Sequence, residues 1–96
     1  MIDMSRLERW QNVMKAVQVE RGRQLEKWGA QNHHSLETYL TILVEEVGEL
    51  AASILCHKFG NDDHPELDWQ KEATQVAAVA MAMIHEKGKC SMEVVG

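Results

Sequence analysis

Ten of the twelve residues from 73 to 84 are apolar, and five of those ten are alanine. A helix that is apolar on every side must be covered on every side. Small residues also let neighbouring helices approach closely. Three helices are about all that 96 residues can supply, and three can hardly cover such a segment. The pattern therefore predicts a helix at the centre of a homo-oligomer. The rival arrangement is a helix buried within one chain.

The rest of the chain carries the same period. Leu7, Trp10, Val13, Met14, Val17 and Leu25 recur at helical spacing and predict a first helix over residues 5–27. Ser5 is its expected N-cap, with Glu8 completing a capping box. Gly22 weakens the pattern locally. A break follows over residues 28–34, where Gly29 is suited to a left-handed helix end. Ser35 is the expected N-cap of a second helix over residues 36–58. Leu36, Leu40, Leu43, Val44, Val47, Leu50, Ala51, Ile54 and Leu55 form its apolar stripe. A second break spans residues 60–65. Pro65 suits the first turn of a third helix over residues 66–87, which ends before Gly88. Residues 89–96 show no pattern and read as a poorly ordered tail. The expected fold is all-α, a single domain over residues 1–96. Three to four helices per chain would be completed by oligomerisation into four-helix-bundle-like units.

Composition narrows the function. The formal net charge is −5 and Lys plus Arg number ten, with no block of them. A sequence-independent grip on nucleic acid needs clustered cations, so no nucleic-acid partner is expected. The apolar segment is far shorter than the ~20 residues of a membrane span, and the first ten residues do not read as a signal peptide. Cys56 and Cys90 form no C-x-x-C pair and read as reduced thiols. A soluble, cytoplasmic protein is expected, with no membrane partner.

The chemistry-bearing segment is Glu45-Glu46-Val47-Gly48-Glu49. Residues three and four apart are neighbours on a helix, so Glu49 lies close to both Glu45 and Glu46. Adjacent glutamates on a helix are usually a solvated face. Here the flanking Val44, Val47 and Leu50 set the cluster beside an apolar stripe, where crowded carboxylates need protons or a cation. Hard divalent cations prefer oxygen ligands. Gly48 costs about 1 kcal/mol of helix stability relative to alanine, which suggests that a ligand or a partner helix comes close there. Glu72 and Gln75, also three apart, end the polar part of the third helix. If the second and third helices run antiparallel, Glu72 and Gln75 face Glu46 and Glu49. Facing pairs of this kind build metal sites in helical bundles. No histidine stands at metal-ligand spacing; His33 and His34 read as loop or capping residues.

At this point the sequence resembles the MazG-like all-α nucleoside triphosphate pyrophosphatases, to which dimeric dUTPases and phosphoribosyl-ATP pyrophosphatase are related. That family is marked by Glu-Glu-x-x-Glu, a spacer, and Glu-x-x-Asp on the next helix. The first half stands intact as Glu45, Glu46 and Glu49, and the spacer covers residues 50–71. The stretch over residues 24–33 also looks like the segment before the motif helix in small members. The likeness spans about residues 24–86. One departure is clear: Gln75 stands where the family pattern has aspartate. An amide oxygen still ligates Mg2+ but brings no charge.

The resemblance implies hydrolysis of a (deoxy)nucleoside triphosphate to a monophosphate and pyrophosphate, a nucleotide-pool house-cleaning activity. It implies Mg2+, with Mn2+ as a substitute, on Glu46, Glu49, Glu72 and Gln75. Glu45, Glu46, Glu49 and Glu72 form the implied catalytic set; Glu45 acts behind the ligands, on another ion, or as base. Lys27, Trp28, Gln31 and Asn32 are the implied substrate-binding residues. Self-association as a homodimer or homotetramer is expected. A catalytically weak nucleotide- or metal-binding relative and a purely structural helical module are the alternatives.

Overall fold

The apolar third segment does form a helix, and the other two pack on it rather than on each other. The computed structural model describes residues 3–29, 33–59 and 68–88. These form α1 (Met4–Trp28), α2 (Leu36–Phe59) and α3 (Trp69–Lys87), with no strand among the described residues. α3 contacts both α1 and α2, whereas α1 and α2 do not pack together.

Local chemistry sets the helix ends. Asp3, not Ser5, caps α1: its Oδ1 accepts from the backbone N–H groups of Ser5 and Arg6, at 2.8 and 3.1 Å. The carboxylate offers a charged acceptor to the helix N-terminus, and the expected Ser5–Glu8 box does not form. Ser35 does cap α2, its Oγ accepting from the Thr38 N–H at 3.1 Å. α3 opens at Trp69 rather than at residue 66, because Asp68 is extended and its side chain accepts from the Gln70 N–H. Pro65, the break at residues 60–65 and the tail at residues 89–96 lie outside the described residues. Gly29 ends α1 with a positive φ of 73° and donates its N–H to the Leu25 carbonyl, as its position predicts.

The direction of the helices follows from which ends meet. Glu46 and Glu49 of α2 meet Glu72 at the start of α3, and Tyr39 and Ile42 meet Val79 and Ala82 further along it. α2 is therefore antiparallel to α3. Val13 and Val17 of α1 lie beside Ala73 and Ala77, while Arg21 reaches Glu86. α1 thus runs roughly parallel to α3. The result is a trough with α3 as its floor and α1 and α2 as diverging walls.

Small side chains let the floor come close. Ala78 and Ala82 are buried on α3, and Ser53 is buried on α2, where its hydroxyl donates to the Leu50 carbonyl at 2.7 Å. The buried apolar residues described are only Tyr39, Ala78, Val79 and Ala82; Arg21, Gln24, Ser53 and Glu72 are buried and polar. α3 is central among the described residues, which cover it on the α1 and α2 sides, and Trp69 and Ile84 stay exposed. The stripe Leu36, Leu40, Val44, Val47, Ile54 and Leu55 on α2 is also exposed.

Candidate metal centre

Antiparallel packing of α2 on α3 brings Glu46, Glu49 and Glu72 together. One carboxylate oxygen from each lies within 4.8 Å of the others. Glu46 and Glu49 share a face because they are three residues apart, and Glu72 reaches them from the first turn of α3. Asp68 anchors that turn, its carbonyl accepting from the Glu72 N–H at 2.9 Å.

The electrostatics are unfavourable as they stand. At 4.8 Å two carboxylates repel by about 3.5 kcal/mol at an effective dielectric near 20. Burial and then the charges of Glu49, Glu72, Glu20 and Glu45 push the Glu46 carboxyl above the ordinary glutamate range. Burial and then the Glu49 charge push Glu72 up likewise. Oε2 of Glu46 and Oε2 of Glu72 are buried without a hydrogen-bond partner. Orphaned acceptors beside one another are what a cation or added protons would satisfy. The donor set is all oxygen, which suits a hard divalent ion such as Mg2+.

The other expected residues fall in several places. Glu45 is exposed but lines a cleft of about 280 Å³ together with Glu46. Trp28 lines the same cleft, with Gln24, Tyr39, Ile42, Val79 and Ala82. Gln75 is half-buried one turn beyond Glu72. The Lys27 ammonium sits 4.9 Å from the Trp28 ring centroid, a cation–π contact at the cleft's rim. Gln31 and Asn32 lie outside the described residues. Gly48 has nothing within 4 Å of where a side chain would project, so no other described residue makes its close approach.

Four residues of the trough escaped the sequence reading. Glu20 of α1 acts on Glu46 across the trough and is held by Arg23, whose Nε and Nη2 donate to its two oxygens at 2.9 and 2.7 Å. Gln24 is buried and lines the cleft, its Nε2 donating to Glu20 at 3.4 Å. Tyr39 forms the cleft's far end, and burial followed by the nearby Glu86 charge raises its hydroxyl. Arg21 is buried and reaches Glu86 at 3.7 Å, tying the ends of α1 and α3 together. Polar residues inside the periodic α1 segment, Glu20, Arg21 and Gln24, were the available signal, since they face α3 where apolar residues are the norm.

No helix among the described residues is long and apolar enough to cross a membrane. The chain matches no known family model, no curated protein and no solved structure.

Proposed function

We propose that this chain is a Mg2+-dependent nucleoside triphosphate pyrophosphohydrolase. The observation that carries the reading is the convergence of Glu46, Glu49 and Glu72 beside two orphaned carboxylate oxygens. The sequence resemblance to MazG-like enzymes supplies the reaction. A divalent cation held there would supply charge to neutralise triphosphate oxygens and to acidify a water. Glu46, Glu49 and Glu72 hold it, and Gln75 offers a neutral oxygen one turn away. Glu45, on the wall of the adjoining cleft, takes the proton of the attacking water. The water oxygen bonds to phosphorus, the phosphoanhydride bond breaks, and pyrophosphate leaves. Trp28, Tyr39, Ile42 and Val79 give that cleft the apolar, partly aromatic walls a nucleobase packs against.

The test incubates the pure chain and Mg2+ with a panel of (d)NTPs and measures pyrophosphate. Turnover that disappears in Glu49→Ala is expected. Turnover no higher than that variant's, for every nucleotide, overturns the enzyme reading. Gln75 favours a second reading, a relative that binds but turns over weakly, because an amide brings no charge to the site. Under it, Gln75→Asp raises turnover at least tenfold; no gain removes the support Gln75 gives that reading.

The chain also self-associates in this proposal, as a homodimer or homotetramer. Four buried apolar residues among the described ones are a slight core, and chains of this size are marginal alone. The exposed α2 stripe is where a second copy packs.

A further inference from the structure

The exposed face of α2 is charged only at its two ends. Glu37, Leu40, Val44, Val47, Ala51, Ile54 and Lys58 follow one another by steps of three and four. Such a series runs along one side of a helix and suits packing against a second helix. All seven residues are exposed. The series opens on an acid and closes on a base, about 32 Å apart along the helix. The other charged residues of α2 lie elsewhere: Glu46 and Glu49 in the cluster, Glu45 on the wall of the adjoining cleft. Among the described residues neither Glu37 nor Lys58 has an ion-pair partner. The Lys58 ammonium lies 5.7 Å from the centroid of the neighbouring Phe59 ring.

Self-complementarity decides the occupant. In a two-fold interface one surface patch meets its own copy, reversed. Glu37 stands ten residues before Val47, and Lys58 stands ten residues after Gly48. A two-fold axis between Val47 and Gly48 therefore sets Glu37 opposite Lys58 of the second copy, and does so twice. The same axis sets Leu40 opposite Leu55 and Val44 opposite Ala51, so apolar meets apolar in between. Gly48 lies at the crossing, where no described residue stands within 4 Å of a projected side chain. A second helix can approach the backbone there. Parallel helices would instead set Glu37 on Glu37 and Lys58 on Lys58, like charge on like. Glu37 and Lys58 also suit the dipole of their own helix, because they sit in its first and last turns. The dipole accounts for the two signs but not for the exposed apolar series between them.

We infer that α2 pairs antiparallel with α2 of a second copy about an axis at Val47 and Gly48, closed at both ends by Glu37–Lys58 ion pairs. Resting on the self-association proposed above, this pairing gives the second copy a direction and a register. It also places the two metal clusters. Glu46 and Glu49 lie on the side of α2 that meets α3, opposite the paired face. The clusters of the two chains therefore stand back to back, and neither takes a ligand from the other chain.

Sedimentation equilibrium of the full chain at low salt reads the dissociation constant of the dimer. Glu37→Lys and Lys58→Glu each turn two attractive pairs into two repulsive ones, and each is expected to weaken the dimer about tenfold. The double variant Glu37→Lys/Lys58→Glu restores opposite charges and should dimerise like wild type. So should an equimolar mixture of the two single variants, in which no helix carries both changes. If the charges served only the dipole of their own helix, the double variant would be the weakest of all, and that result overturns the pairing. Single variants that dimerise as tightly as wild type overturn the antiparallel register and leave self-association standing. A monomeric wild type overturns both and leaves the face to another protein. Calorimetry with Mg2+ should give the same affinity for the single variants as for wild type. Loss of Mg2+ binding together with the dimer overturns the back-to-back arrangement.

Discussion

Glu46 and Glu72 give the protein a pH dependence opposite to that of most acidic residues. Their carboxyls are raised by burial first and by neighbouring carboxylates second, so the folded state holds protons that the unfolded state has released. Stability then falls as pH rises from the ordinary glutamate value through the raised one, and the penalty is absent below the ordinary value. Asp3 and Glu20 act the other way, because hydrogen bonds lower both. Their contribution is present above the ordinary carboxylate values and is lost as pH falls through the lowered ones. The metal-free protein should therefore be most stable in mildly acidic solution. Glu46→Gln removes one charge from the cluster at little cost in helix propensity. A relief of about 1 kcal/mol would raise Tm at pH 7 by about 4–8 °C for a domain of this size. The gain should vanish near pH 4.5, as read by thermal melts across pH. Mg2+ should raise the Tm of the wild type and leave the variant unmoved; equal shifts in both would remove the cluster as the metal's site.

At the scale of the element, α2 asks why a glycine sits among its glutamates. Gly48 lies in a regular helix, without a positive φ, and faces open space in the single chain. None of the described residues requires it, so Gly48→Ala should stabilise the monomer by about 0.5–1 kcal/mol, measured by urea unfolding. A loss of stability at concentrations where the chain self-associates would mean that another copy approaches the backbone there. α1 supplies a second case. Replacing the Asp3 cap by alanine should lower the melting temperature more than Ser5→Ala does, since Asp3 makes the bonds to the first free N–H groups. Far-ultraviolet circular dichroism melts of the two variants would separate them.

At the scale of the whole molecule, three helices in a trough leave too much apolar surface uncovered. Stable domains place at least two layers around one core, and among the described residues the outer face of α2 has no second layer. Leu40, Val44 and Val47 form its middle, each about half exposed or more. Light scattering on the pure protein should return a multiple of the 10.9 kDa chain mass. Leu40→Glu/Val47→Glu should lower that mass towards the monomer while the cluster on the opposite side of α2 keeps its residues. A wild type that is monomeric at micromolar concentration would overturn the self-association.

The sequence alone carried the periodic structure and half of the site. The apolar steps of three and four predicted α1 and α2, and the apolar run over residues 73–84 predicted α3. Ser35 and Gly29 marked two ends correctly, because capping and positive φ are local properties of one or two residues. The grouping of Glu46 with Glu49 was also legible, since i,i+3 neighbours follow from helix geometry, whereas Glu45 stands outside that cluster on the wall of the adjoining cleft. The Asp3 and Asp68 caps were missed for different reasons: Asp3 lies just outside the segment expected to start at Ser5, and Asp68 lies inside the one expected to start after Pro65. What only the tertiary structure decided is how the helices meet. That Glu72 joins Glu46 and Glu49 follows from the antiparallel packing of α2 on α3. That Glu20, Gln24 and Tyr39 line the same trough follows from α1 and α2 standing apart on α3. Such contacts link residues distant in the chain, and their geometry depends on where small side chains such as Ala78, Ala82 and Ser53 allow close approach. No periodicity within a single helix records that.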